Sequence, residues 1–147
     1  MPPRKNMSVA KNNRKESSVE FDATYFKIHD DALHLIECYF GASKEDRIRH
    51  KRYIYMMAEK ILDDVFEMGK HIRIANAIYP KSEIELYERR KHMECAIGLC
   101  FDILTKYQLT MYRLRVRDNK YLNEIKNLQH EINCLKKWRA SDNKRFG

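Results

Sequence analysis

The clearest periodic segment of the chain is residues 54–75, which read IYMMAEKILDDVFEMGKHIRIA. Apolar side chains recur there in alternating steps of four and three residues, at Ile54, Ala58, Ile61, Val65, Met68, Ile72 and Ala75. This spacing places all of them along one side of an α-helix, whereas a strand would need alternation with a period of two. The segment therefore predicts a long amphipathic helix.

The same spacing predicts three further helices, over residues 21–41, 82–111 and 121–138. Residues 113–117 alternate apolar and basic side chains over a run too short for an unpaired strand, so we assign them to the frayed end of the third helix and the following turn. Residues 118–119 are Asp and Asn, either of which would cap the fourth helix. The pattern indicates four helices joined by short connections.

Signals at the predicted boundaries agree with these helices. Gly41 suits the left-handed conformation that ends many helices, and Pro80 should end the second helix near residues 76–79. Ser43 and Ser82 are each followed at the third position by an acidic residue, an arrangement typical of a helix start. The second helix is therefore predicted to begin after Ser43 and the third after Ser82.

The predicted fold is all-α: an antiparallel up-down-up-down four-helix bundle over residues 20–140. Residues 1–19 contain five basic side chains, one acid and little apolar surface, so they are predicted to form a disordered basic arm. Residues 141–147 are predicted to be a frayed tail. Only 4 Gly and 3 Pro occur in 147 residues, which excludes a turn-rich β-sandwich and a glycine-rich phosphate loop.

Composition narrows the class of protein further. No apolar run approaches the ~20 residues of a membrane span, and the basic N-terminus lacks the apolar core of an export signal. The four cysteines, Cys38, Cys95, Cys100 and Cys134, form no C-x-x-C pair and fall within helical patterns. We therefore expect reduced core cysteines in a cytoplasmic protein that does not associate with membranes.

Catalytic and metal motifs are missing from the sequence. Di-iron bundles need Glu-x-x-His pairs on two helices, and no Glu here has a His at the third following position. Glu67 with His71 and Glu88 with His92 have the spacing of ordinary surface pairs. We expect no enzyme activity, no cofactor, no metal and no small-molecule substrate.

Basic residues suggest a different role, because the net charge is +8 and the bundle topology would gather basic side chains at its ends. The first predicted group joins the start of helix two to the turn after helix three: Arg47, Arg49, Lys51, Arg52, Arg113, Arg115, Arg117 and Lys120. The second group lies at the opposite end: Arg89, Arg90, Lys91, Lys136, Lys137 and Arg139. Such segregation is expected of a surface that binds a nucleic-acid backbone, RNA or DNA, although a solvated basic surface without a partner is the alternative.

Apolar side chains also extend beyond the stripes that a four-helix core requires. Examples are Tyr55, Met56 and Phe66 on the second helix and Phe101 on the third. A second apolar face is typical of subunit association, so a homo-oligomer is predicted. The alternative is that wide helices simply fill a deep core.

Four short segments of the chain resemble a known family of bacterial four-helix-bundle proteins. They are Met7-Ser-Val-Ala-Lys11, Ala75-Asn-Ala-Ile-Tyr-Pro80, Tyr87-Glu-Arg-Arg90 and Trp138-Arg-Ala-Ser-Asp-Asn143. The family includes the accessory variability determinant (Avd) of diversity-generating retroelements and the bundle proteins encoded in intervening sequences of 23S rRNA genes. The resemblance spans residues 21–143, and the first of these segments precedes that range.

The resemblance implies a barrel-shaped homopentamer with a positive surface and no catalytic centre. It implies binding to nucleic acid and to the element's reverse transcriptase, in support of template-RNA-primed cDNA synthesis and mutagenic retrohoming. It assigns no individual site residue. Two other functions stay open at this point: an rRNA-associated bundle protein without a polymerase partner, and a purely structural oligomer.

Overall fold

The computed structural model describes residues 9–146, with the side chains of residues 23–145 other than that of Asp118. Five α-helices occur in this part of the chain: α1 (Val9–Glu37), α2 (Lys44–Arg49), α3 (Lys51–Ala77), α4 (Glu83–Arg113) and α5 (Leu122–Phe146). Two short 3-10 helices, Tyr39–Gly41 and Asp118–Tyr121, complete the elements. The described residues contain no strand, so the predicted all-α class is confirmed.

The core lies among the four long helices. Helix α3 packs against α4 and α1, and α5 packs against α4 and α1, so each long helix contacts two others. The stripe predicted on residues 54–75 faces inward: Ile61, Val65 and Met68 are fully buried. Burial of one such side chain contributes about 1.5–3 kcal/mol, so this stripe is a major source of the stability of the fold.

Both predicted serine caps are present. Ser43 Oγ accepts a hydrogen bond from the Asp46 amide (3.1 Å), and Ser82 Oγ accepts one from the Glu85 amide (3.2 Å). The Glu85 carboxylate in turn accepts from the Lys81 amide at 2.7 Å. Helix α3 ends at Ala77, within the range that Pro80 predicts.

One predicted helix is divided in two. The sequence predicts a continuous second helix after Ser43, but the chain leaves helical geometry at His50, which separates α2 from α3. The reason is that the apolar stripe begins only at Ile54, while the buried side chain of α2 is the carboxylate of Asp46. Helix α2 is therefore oriented by a polar contact and not by the core.

The predicted terminal segments are largely helical. Residues 9–19, predicted as part of a disordered arm, belong to α1, and residues 1–8 lie outside the described part of the chain. No Gly or Pro occurs between Val9 and Phe40, so nothing in that segment interrupts a helix. The predicted frayed tail is part of α5 as far as Phe146, because the buried side chain of Asp142 holds it to the core.

Three smaller predictions need correction. Helix α1 ends at Glu37 and not at Gly41, although Gly41 has the expected left-handed backbone (φ 79°). Residues 118–121 form a 3-10 helix instead of a simple cap. The four cysteines form no disulfide, and Cys100 and Cys134 are buried, but Cys38 is exposed because it follows the end of α1.

Candidate nucleic-acid interface

A bidentate ion pair joins two parts of the first predicted basic group. Arg115, in the turn after α4, donates to both carboxylate oxygens of Asp46 in α2, at 2.7 and 3.3 Å. These hydrogen bonds hold the pKa of the Asp46 carboxyl below its ordinary value, and they raise the pKa of Arg115. The pair therefore fixes α2 against the turn after α4, at one end of the molecule.

Further contacts join residues 39–55 to residues 113–121. The Tyr121 hydroxyl donates to the Phe40 carbonyl at 2.5 Å, and the Arg113 guanidinium lies 5.9 Å from the centre of the Tyr53 ring. Nine basic side chains belong to residues 39–55 and 113–121, against three acidic ones. Two of these acids, Glu45 and Asp46, are paired with arginines. We call these two segments the basic end.

The basic end brings the first predicted group together on exposed surface. Its exposed members are Arg47, Arg49, Lys51, Arg52, Arg113, Arg115, Arg117 and Lys120. Among them, Arg115 pairs with the buried Asp46, and Arg47 Nε donates to the Ala42 carbonyl at 3.1 Å. Substitution of either would disturb the local structure as well as the surface charge.

A groove at the basic end combines cations with aromatic rings, which sequence analysis did not foresee. Its volume is about 490 Å³, and the residues that line it are Tyr39, Lys44, Arg47, Ile48, Lys51, Ile54 and Tyr55. The Arg47 guanidinium lies 4.6 Å from the centre of the Tyr39 ring, and Lys51 Nζ lies 5.9 Å from that of Tyr55. We call it the tyrosine groove.

The backbone of the basic end is strained. Tyr39 (φ 53°), Phe40 (φ 57°) and Arg115 (φ 56°) are the non-glycine residues with positive φ among those the structure describes. This conformation costs an L-residue roughly 1–2 kcal/mol, and such strain is concentrated at functional sites. All three residues belong to the basic end. No pattern in the sequence predicted the left-handed backbone of Tyr39 and Phe40.

The second predicted basic group is not assembled in the same way. Arg89 is only 1% exposed, so it is not a surface residue and cannot contact a nucleic acid. It donates to Asp142 Oδ1 at 3.0 Å and to the carbonyls of Ala75 (3.0 Å) and Ile78 (2.7 Å). Its guanidinium also lies 5.1 Å from the centre of the Trp138 ring. Arg89 is therefore a structural cation in the core.

The remaining members of that group are spread over α4 and α5. Arg90 is half-buried, and Arg139 lies 3.5 Å from Glu94. Lys91, Lys136 and Lys137 are exposed. The Glu94 carboxylate therefore neutralises part of this charge.

Two histidines meet between α3 and α4, although the sequence predicted separate surface pairs. His71 Nδ1 and His92 Nδ1 are 2.8 Å apart, and His71 Nε2 lies 3.7 Å from the Glu67 carboxylate. One ring must donate and the other accept, so at least one ring is neutral. Burial, and next the neighbouring His92, lower the pKa of His71 below its ordinary value of 6.5.

This pair predicts lower stability in mild acid. A His whose pKa is lowered in the folded state binds its proton more readily when unfolded, so its stabilising contribution is complete above pH 6.5 and is lost as the pH falls below it. We expect the Tm to be lower at about pH 5.5 than at pH 7.5, and His71→Gln to reduce that difference. Asp46 does not interfere, because its lowered pKa matters only below about pH 4. An unchanged difference in the variant would contradict this assignment.

Comparison of the chain with protein-family models, curated proteins and solved structures found no match. Among the described residues, no cluster of three or more His, Cys, Asp or Glu side chains is suited to hold a metal ion. No described helix combines the length and apolar character needed to cross a membrane.

Proposed function

We infer that this chain is a non-catalytic protein that binds nucleic acid through the phosphate backbone at its basic end. The observation that supports this function is the density of exposed cations there, nine basic against three acidic side chains, of which two acids are already paired. Nucleic acids are the abundant polyanions that such a surface attracts, and contacts to their phosphates depend little on sequence.

This function depends on an up-down-up-down order of the long helices, which we propose for α1, α3, α4 and α5. Two sets of contacts support it. Between α3 and α4, Asp64 pairs with Lys106 and His71 with His92. Residue numbers rise along α3 as they fall along α4, as expected for antiparallel helices. Between α4 and α5, Arg89 pairs with Asp142 and Arg139 with Glu94. The start of α3 and the end of α4 then share one end of the bundle.

We further propose the partners that the family resemblance implies. In that proposal the chain is the accessory protein of a diversity-generating retroelement, assembles as a homopentamer and docks on the reverse transcriptase. Exposed apolar side chains support association: Phe66 of α3 is 54% exposed and Phe101 of α4 is 45% exposed. Burial of such side chains between subunits would stabilise an oligomer.

Neutralising exposed cations of the basic end should weaken binding to every nucleic acid. We choose Arg49→Gln, Arg52→Gln, Arg113→Gln and Arg117→Gln together, which leaves Arg47 and Arg115 with their structural contacts. The salt dependence of log affinity should become shallower by up to about 3.6, because each of the four lost phosphate contacts removes roughly 0.7–0.9 from the slope. Fluorescence anisotropy with labelled RNA and DNA at about 50–200 mM salt measures both affinity and slope.

The matched control removes the same charge elsewhere, with Lys81, Lys91, Lys136 and Lys137 each changed to Gln. It should retain most of the affinity and slope, while circular dichroism verifies the helical content of both variants. Light scattering on the same samples measures the number of subunits, and a monomeric mass would contradict the proposed oligomer. Equal losses in the two variants would reject the basic end as the binding site.

A further inference from the structure

The tyrosine groove has the chemistry of a site for nucleotides and not only for phosphates. Two tyrosine rings and three cations line it, and the rings are accessible: Tyr39 is 41% exposed and Tyr55 is 58% exposed. Proteins that bind single strands combine these two features, since bases stack on aromatic rings while the backbone follows positive charge. A purely electrostatic surface needs no exposed rings.

The local backbone holds Tyr39 at the surface. Phe40 is fully buried, its carbonyl accepts the Tyr121 hydroxyl, and Gly41 continues the left-handed turn. With Phe40 anchored in the core, the preceding ring is placed on the opposite side of the turn, against Arg47. The left-handed backbone of Tyr39 and Phe40 costs free energy on folding, and strain of this kind is often found at binding sites.

The size of the groove suits a short segment of unpaired nucleic acid. Its volume of about 490 Å³ is in the range of small-ligand sites, which suits one or two unstacked nucleotides. Bases in a duplex are stacked and paired with each other, so their faces are not available to a protein ring. Each ring of the groove has a cation within 6 Å of its centre, where a phosphate next to a stacked base could be bound.

We propose that the tyrosine groove binds a single-stranded segment of nucleic acid, with bases stacked on Tyr39 and Tyr55 and adjoining phosphates on Lys44, Arg47 and Lys51. This inference rests on the proposed function and refines it, because it names the strand state of the ligand. The basic end outside the groove contacts phosphates in single strands and duplexes alike.

The test compares single-stranded RNA with a duplex of the same sequence. Tyr55→Leu keeps an apolar side chain but removes the ring, so single-strand affinity should fall about tenfold or more while duplex affinity stays nearly constant. The salt slope should not change, because no charge is removed. Tyr55→Phe keeps the ring and should restore single-strand affinity, and Tyr87→Leu, an exposed tyrosine near the start of α4, is the matched control.

A second variant tests the other ring. Tyr39→Asn introduces a residue that tolerates the left-handed backbone, so we expect the same selective loss of single-strand affinity without a lower Tm. Equal effects on single strand and duplex, or none on either, would overturn the assignment of the tyrosine groove as a single-strand site. The proposed function would remain intact. Failure of the wild-type protein to bind either form would overturn both.

Discussion

Arg89→Met is expected to lower the free energy of unfolding by about 3–5 kcal/mol, the usual cost of removing one partner from a buried ion pair. Arg89 and Asp142 are each 1% exposed, so the remaining carboxylate could not be rehydrated without local opening. The substitution would also leave the Ala75 and Ile78 carbonyls at the end of α3 without the donors that Arg89 supplies. Urea denaturation followed by circular dichroism measures the change.

The double variant Arg89→Met with Asp142→Leu separates charge from packing. Replacing a buried pair by apolar side chains of similar size is often neutral, so the double variant should recover much of the stability lost in Arg89→Met. A loss below about 1 kcal/mol in the single variant would place Arg89 at the surface instead. Such a result would return it to the predicted nucleic-acid site.

The periodic parts of the fold could be predicted from the sequence. Helices α3 and α4 are defined by long apolar stripes, and Pro80 and the Ser82 cap mark the connection between them. Where no stripe exists, the predicted continuity of the second helix was wrong. Helix α2 is held by the Asp46–Arg115 pair, a contact between residues 69 positions apart. Local patterns do not report such contacts.

The extent of the terminal helices could not be predicted for a related reason. Asp142 appeared to belong to a polar tail, because its partner Arg89 lies 53 positions away. The spacing of the sequence nevertheless contains a signal for this buried pair. Arg89 precedes the stripe of Met93 and Ile97 by four residues, and Asp142 follows Trp138 by four, so both charges lie on core-facing stripes. Two opposite charges on facing apolar stripes are a reason to expect a buried pair.

The candidate site was predicted in part. Charge and topology indicated which cations belong to one end, and the Asp46–Arg115 pair links these segments in the structure. The tyrosine groove was missed, because Tyr55 was assigned to an apolar face and Tyr39 fell within the predicted first helix, residues 21–41. The positive φ angles of Tyr39 and Phe40 end that helix at Glu37 and place Tyr39 among cations. Such backbone geometry follows from tertiary contacts such as that of Tyr121 with Phe40.

The two helical glycines Gly69 and Gly98 should respond to alanine with opposite signs. A methyl group at Gly69 would lie inside van der Waals distance of the Tyr25 ring, whereas one at Gly98 would meet no atom within 4 Å. Gly98→Ala should raise the free energy of unfolding by about 0.5–1 kcal/mol, since alanine is the better helix former. Gly69→Ala should lower it by about 1–2 kcal/mol, because overpacking outweighs that gain.

The physical reason for the loss at Gly69 is the contact that crosses from α1 to α3. The Tyr25 hydroxyl donates to the Val65 carbonyl at 3.1 Å, and its ring occupies the space that the absence of a side chain at Gly69 leaves. In the Gly69→Ala background, Tyr25→Ala should therefore cost less stability than in the wild type, and urea denaturation of all four proteins measures this coupling. Additive effects would mean that Tyr25 and Gly69 are not in contact, and the middle of α1 would then lack this contact with α3.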